Sequence, residues 1–121
     1  MPFYLEMANW PRRELFHFFR PYEQPFFNLC ANVDVTNLVR LSRSREDLPF
    51  FLAYHYLAPK AANDVEPFRY RLWGDRVLVY EPIDAGTTIL LEGERFGFCY
   101  FRYDDDFARF VAQGTAAVER L

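Results

Sequence analysis

Hydrophobic and polar positions change period several times along this chain, and each change marks an element. Residues 26–35, FFNLCANVDV, place Phe27, Leu29, Ala31, Val33 and Val35 on one side of an extended backbone. Asn28, Cys30, Asn32 and Asp34 fall on the other, the period-2 pattern of a half-buried strand. Ahead of it, a short edge strand is expected at 3–7, then a helix capped by Asn9, running to Arg20 and stopped by Pro21. Pro11 falls in the first turn of that helix, where a missing N–H costs least. After the strand, Thr36 caps a short helix that turns Leu38, Val39 and Leu41 inward and its arginines outward. Asp47 as cap and Pro49 in the first turn open a buried helix with a broad apolar face through Phe50, Phe51, Tyr54 and Leu57. That helix should kink or end near Pro59.

Two strand pairs follow. Runs 68–73 and 76–81 flank Gly74-Asp75 and read as a hairpin, and runs 87–92 and 95–103 flank Gly93. The acidic residues Asp104, Asp105 and Asp106 suit the positive end of a last helix, whose buried stripe is Phe107, Phe110, Val111 and Val118. Hairpins interleaved with a few helices predict one α+β domain over residues 1–121. Its expected architecture is a mixed, mostly antiparallel sheet with helices packed on one face.

Composition narrows the classes. With 51% hydrophobic and 26% charged residues the chain is not of the disordered type, and at this length folding can bury about 65% of the unfolded surface. A net charge of −3 gives no basic field for phosphates despite the arginines at 40, 43 and 45, so no nucleic-acid partner is expected. No run approaches the ~18 apolar residues that span a bilayer, and MPFYLEMANW lacks the uninterrupted apolar stretch of a signal peptide. The expectation is a cytoplasmic protein without a membrane partner.

Cys30 and Cys99 both fall in strand-like runs without a CxxC partner and are read as reduced core thiols, ahead of a disulfide or a metal site. His17 and His55 each lack a carboxylate or cysteine at ligand spacing and are read as structural. Three consecutive carboxylates at 104–106 diverge around a helix start, so no metal site is assigned to them.

The order of the short motifs says more than any one of them. WPRRELFHFF, FFNLCANVDVTNL, PFRYRLWGDRVLVYE, the pair Thr87-Thr88, RFGF and DDDFARF together resemble the N-terminal half of the chloramphenicol acetyltransferase family. In that family a W-x-R-[RK]-E-H-F helix precedes a strand ending in I-D-[IV]-T. An E-[FL]-R strand then leads into a hairpin, and a T-F-S strand precedes an acidic D-x-x-x-F helix.

The resemblance implies an acetyl-CoA-dependent acetyltransferase fold working as a trimer, with each active site between two subunits. There a histidine takes the proton of the acceptor hydroxyl, which attacks the thioester, and a serine hydroxyl stabilises the oxyanion. That histidine belongs to a His-His-x-x-x-Asp-Gly signature in the second half of family members. Neither His17 nor His55 stands in such a context, so no catalytic residue is assigned here.

Acetyl-CoA is accordingly expected only as a co-substrate when a complementing second half is present, with no cofactor bound by this chain alone. The expected partners are copies of the chain, a trimer first, or a complementing C-terminal half, with a small hydroxylated acceptor. The resemblance also gives Arg12 a supporting role, since the matching arginine pairs with the signature aspartate. It gives Phe18, Phe19, Phe27, Phe96, Phe98 and Thr87 or Thr88 places in the acceptor-pocket wall. Phe19 replaces a family tyrosine and Phe98 a small residue, which implies a different or smaller acceptor than chloramphenicol.

The plainer reading of these rings is ordinary core, and of Arg12 and Arg13 a solvated helix face beside Glu14. Two other functions compete with a truncated or split acetyltransferase. One is a non-catalytic module binding a small molecule or a protein, and the other is an unrelated small α+β interaction domain.

Overall fold

The computed structural model covers Met1–Leu121. Strand β1, Phe3–Tyr4, is followed by a 3₁₀ turn at Met7–Asn9 and helix α1, Arg13–Phe19. Helices α2, Thr36–Ser44, and α3, Phe50–Asp64, come next. Strands β2, Tyr70–Trp73, and β3, Arg76–Val79, precede β4, Ala85–Leu91, and β5, Arg95–Phe101, and α4, Phe107–Glu119, closes the chain. The class is α+β, with antiparallel strands, as the alternating hairpin patterns require.

Within this chain the strands form two sheets. One has the order β1-β3-β2, and the other is the β4-β5 hairpin, in register from Ala85 opposite Phe101 to Leu91 opposite Arg95. Gly74 sits at φ 64 in the first central position of the β2–β3 turn, the place that a type II′ turn reserves for glycine.

The core lies where α3 and α4 cover one face of the β4-β5 hairpin. Leu52, Tyr56, Cys99, Phe101 and Phe110 make up its buried centre. The two helices come close at Gly114, where a Cβ atom would stand 2.9 Å from a terminal carbon of Leu52. Asp106 caps α4 by accepting from the Arg109 N–H at 2.9 Å, so the acidic run does open the last helix. The Tyr56 hydroxyl donates to the Asp105 carbonyl at 2.8 Å and ties α3 to the same corner.

Several expectations need correction. Residues 26–35 form no strand, because no other segment of the chain pairs with them, and Cys30 is exposed while only Cys99 is buried. Asn9 does not cap α1. It ends the 3₁₀ turn, and its amide donates to Glu6 at 2.8 Å. Thr36 begins α2 rather than capping it, since the Asp34 carboxylate accepts from both its N–H and its hydroxyl, and Leu41 is exposed. Asp47 pairs with Arg45 instead of capping α3. In α3 the inward residues are Leu52, Ala53, Tyr56 and Pro59, while Phe50, Tyr54 and Leu57 are exposed. The helix continues through Pro59, whose ring is buried on that packed face.

Only 10 of the 121 residues are buried, and the accessible surface is 9870 Å². A compact monomer of 14.5 kDa exposes about 6,900 Å² by the usual mass scaling, so this chain carries roughly 3,000 Å² more than its size requires.

Candidate functional site

An apolar cleft of about 880 Å³ opens between α1, the chain that follows it and the outer end of β2. Trp10 sets one end, with its ring 5.8 Å from Phe16 and 5.9 Å, edge-on, from Tyr70. Leu15, Phe16 and Phe19 come from α1, Tyr70 and Leu72 from β2, and Phe26 and Phe27 from the segment beyond. Such a concave, largely aromatic lining with a few polar groups is what small-molecule sites are built from.

Arg12 stands on the rim of this cleft and enters none of the ion pairs of the chain. Its neighbours on the helix are used otherwise. Arg13 donates to the Ala8 carbonyl at 3.0 Å and Arg20 to the Gly74 carbonyl at 3.0 Å, so those two anchor α1 to the rest of the fold. Burial pushes the Tyr70 phenol above its ordinary range, its hydrogen bond to Glu66 adds to this, and the nearby Arg12 charge pulls the other way.

The candidate residues divide into two groups. Arg12, Phe19 and Phe27 share the cleft. Thr88, Phe96 and Phe98 share the outer face of the β4-β5 hairpin, where Thr88 lies opposite Phe98 and the Phe96 and Phe98 rings meet edge-on at 5.6 Å. Thr87, opposite the buried Cys99, belongs to the inner face. Phe18 is exposed and packs on Phe19 and Tyr22 rather than lining the cleft. None of these rings is buried within this chain. Trp10, Phe16, Tyr70 and Leu72 were not foreseen as lining. The helical spacing of Phe16 and Phe19 points to a common face, but nothing local brings β2 to it.

The two histidines differ in their surroundings. A carbonyl only accepts, so the Nδ1 of His55 carries a proton and donates to Phe51 at 2.8 Å, with the ring held against Phe51, Tyr54 and Phe101. His17 is exposed on α1 beside Phe16. A second, polar cavity of about 580 Å³ lies by Arg69, Glu81, Tyr103, Asp104 and Arg109. Of its charges, Arg69 pairs with Glu81 and Arg109 with Asp104, while Asp105 accepts from the Tyr103 hydroxyl at 2.8 Å. Burial, reinforced by a hydrogen bond to Asp105, pushes the Tyr103 phenol up to about 12.

Phe19 tests the cleft. Being half exposed, Phe19→Ala should cost well under the ~3–5 kcal/mol of a fully buried phenylalanine in urea unfolding, while weakening the binding of any small apolar ligand. A loss at the top of that range with unchanged binding would mark the ring as core.

A family model described as chloramphenicol acetyltransferase matches residues 2–120. Chloramphenicol acetyltransferase 3 of Escherichia coli is 28% identical over 116 residues, covering 95% of this chain and 54% of the relative. Chloramphenicol acetyltransferase 2 of Haemophilus influenzae is 26% identical over 115 residues, again covering 54% of the relative. A solved chloramphenicol acetyltransferase superposes with a TM-score of 0.91 and 30% identity over 100% of this chain and 57% of that one. The chain thus spans about half the length of the relatives it matches.

Proposed function

The chain belongs to the chloramphenicol acetyltransferase family, and from that premise we propose that it supplies the acceptor-binding half of an acetyl-CoA-dependent O-acetyltransferase and not its catalytic base. The observation that carries this is the cleft on which Arg12, Phe19 and Phe27 converge, with the Arg12 guanidinium left without a counter-ion. In this reading the aromatic wall holds a small hydroxylated acceptor. A histidine from a complementing segment takes the hydroxyl proton, the oxygen attacks the thioester carbonyl, and the coenzyme thiol leaves. Arg12 receives the aspartate of the same segment and thereby positions the base. Phe98, where the family carries a small residue, favours a different or smaller acceptor than chloramphenicol.

Since neither histidine stands in the family's His-His-x-x-x-Asp-Gly context, the purified chain should release no thiol from acetyl-CoA above background with chloramphenicol or a panel of smaller alcohols. Turnover that disappears on His17→Ala or His55→Ala would overturn the assignment.

A cleft without a base also fits a binding module. Saturable binding of chloramphenicol or a smaller aromatic alcohol that persists without turnover, even when a second half is supplied, would favour that reading.

A further inference from the structure

Tyr70 brings to the cleft a polar group that this chain holds in place by itself. It opens β2 directly after a 3₁₀ turn at Glu66–Arg69, and its backbone is fixed opposite Val79 of β3. Pro67, in the first turn of that short helix, lines the cleft beside it. Glu66 stands four positions before Tyr70, and its carboxylate accepts from the phenol at 2.7 Å. Trp10 meets the Tyr70 ring edge-on at 5.9 Å, so the side chain is held both at the ring and at the hydroxyl. Arg12, on the same rim, is near enough for its charge to act on that phenol.

A phenol has one proton to donate and an oxygen that accepts. The proton of Tyr70 is committed to Glu66, and burial, with that hydrogen bond, keeps the group un-ionised at neutral pH. Toward the cleft its oxygen can therefore only accept, and the negative Glu66 partner makes it a better acceptor. The cations of the lining are used otherwise. Arg20 donates to the Gly74 carbonyl, and Arg12 is reserved, in the reading above, for an aspartate.

We propose that Tyr70 sets specificity in the cleft: its oxygen accepts a hydrogen bond from the bound molecule, and Glu66 is the positioning residue that turns the phenol into a pure acceptor. The inference rests on reading the cleft as the acceptor site and narrows the class of molecule it takes. During acetyl transfer the reacting hydroxyl gives its proton to the base, so the donor that meets Tyr70 is a second one. Small aromatic diols and hydroxy-amides have such a donor. Ethers of the same shape lack it and leave the Tyr70 oxygen unpaired, which disfavours them.

The full chain is titrated with phenylethanediol and with its dimethyl ether, followed by ligand-observed NMR. The diol should bind about five- to tenfold more tightly than the ether. Tyr70→Phe keeps the ring against Trp10 and should abolish the preference, because the diol weakens to the level of the ether. Glu66 is exposed, and Glu66→Ala releases the phenol proton for donation, so there the preference should shrink because the ether gains. A merely structural pair would move both probes together. A preference that survives Tyr70→Phe, or that Glu66→Ala leaves unchanged, overturns the inference while the acceptor reading of the cleft stands. If neither probe saturates the unmodified chain, the acceptor reading falls and this inference with it.

Discussion

Replacing Phe110 by alanine should cost about 3–5 kcal/mol, the largest effect expected of any single substitution in this chain. Its side chain is wholly buried on α4, with Tyr56 at 5.4 Å and Phe101 at 5.9 Å between ring centroids. These rings, with Leu52 and Cys99, form the centre on which α3, α4 and β5 meet. One turn along α4, the missing Cβ of Gly114 lets Leu52 approach, so the hole left by Phe110 lies beside contacts that are already close and cannot collapse freely. Natural domains hold about 5–15 kcal/mol in total, and a centre this small belongs at the low end. Phe110→Ala should therefore remove most of the stability, read as a collapse of the urea midpoint followed by circular dichroism. A cost under about 1 kcal/mol would mean that the packing around α4 is not the core of the fold.

The second large effect concerns association. The surplus of roughly 3,000 Å² on one chain exceeds the about 1,000–2,500 Å² that each partner contributes to an obligate interface. Much of it is apolar and clustered: Leu90, Phe96, Phe98 and Tyr100 on the outer face of β4-β5, and Phe27, Leu29 and Val33 between α1 and α2. Each apolar Å² removed from water contributes about 25 cal/mol, which works against an association cost of about 4–15 kcal/mol and side-chain ordering. A polar substitution on the exposed sheet face, such as Phe98→Lys, should leave the urea midpoint nearly unchanged while weakening self-association.

Local chemistry made much of this legible. The β2–β3 and β4–β5 hairpins follow from alternation and glycine turns, and α4 from its acidic cap and stripe, because each is decided within a few residues. The 26–35 alternation is equally plain, yet a strand is a relation between two segments and the second is absent here. The same lack exposes Cys30, whose local context matches that of the buried Cys99. Helix α3 misled for another reason. It is apolar all round at its start, so periodicity does not say whether Leu52, Ala53 and Tyr56 or Phe50, Tyr54 and Leu57 face inward. In the site, Arg12, Phe19 and Phe27 were found through a motif, while Tyr70 and Leu72 reach the cleft only through the tertiary fold.

The chain spans about half the length of its relatives, and the central proposal is that its exposed apolar faces drive association. Light scattering after size exclusion, at micromolar concentration and without added partner, tests it most directly. The account predicts a mass at least twice 14.5 kDa, or a distribution of larger species that narrows when Phe98 is made polar. A clean, lasting monomer of 14.5 kDa would contradict it, because those faces would then be stable in water without cover.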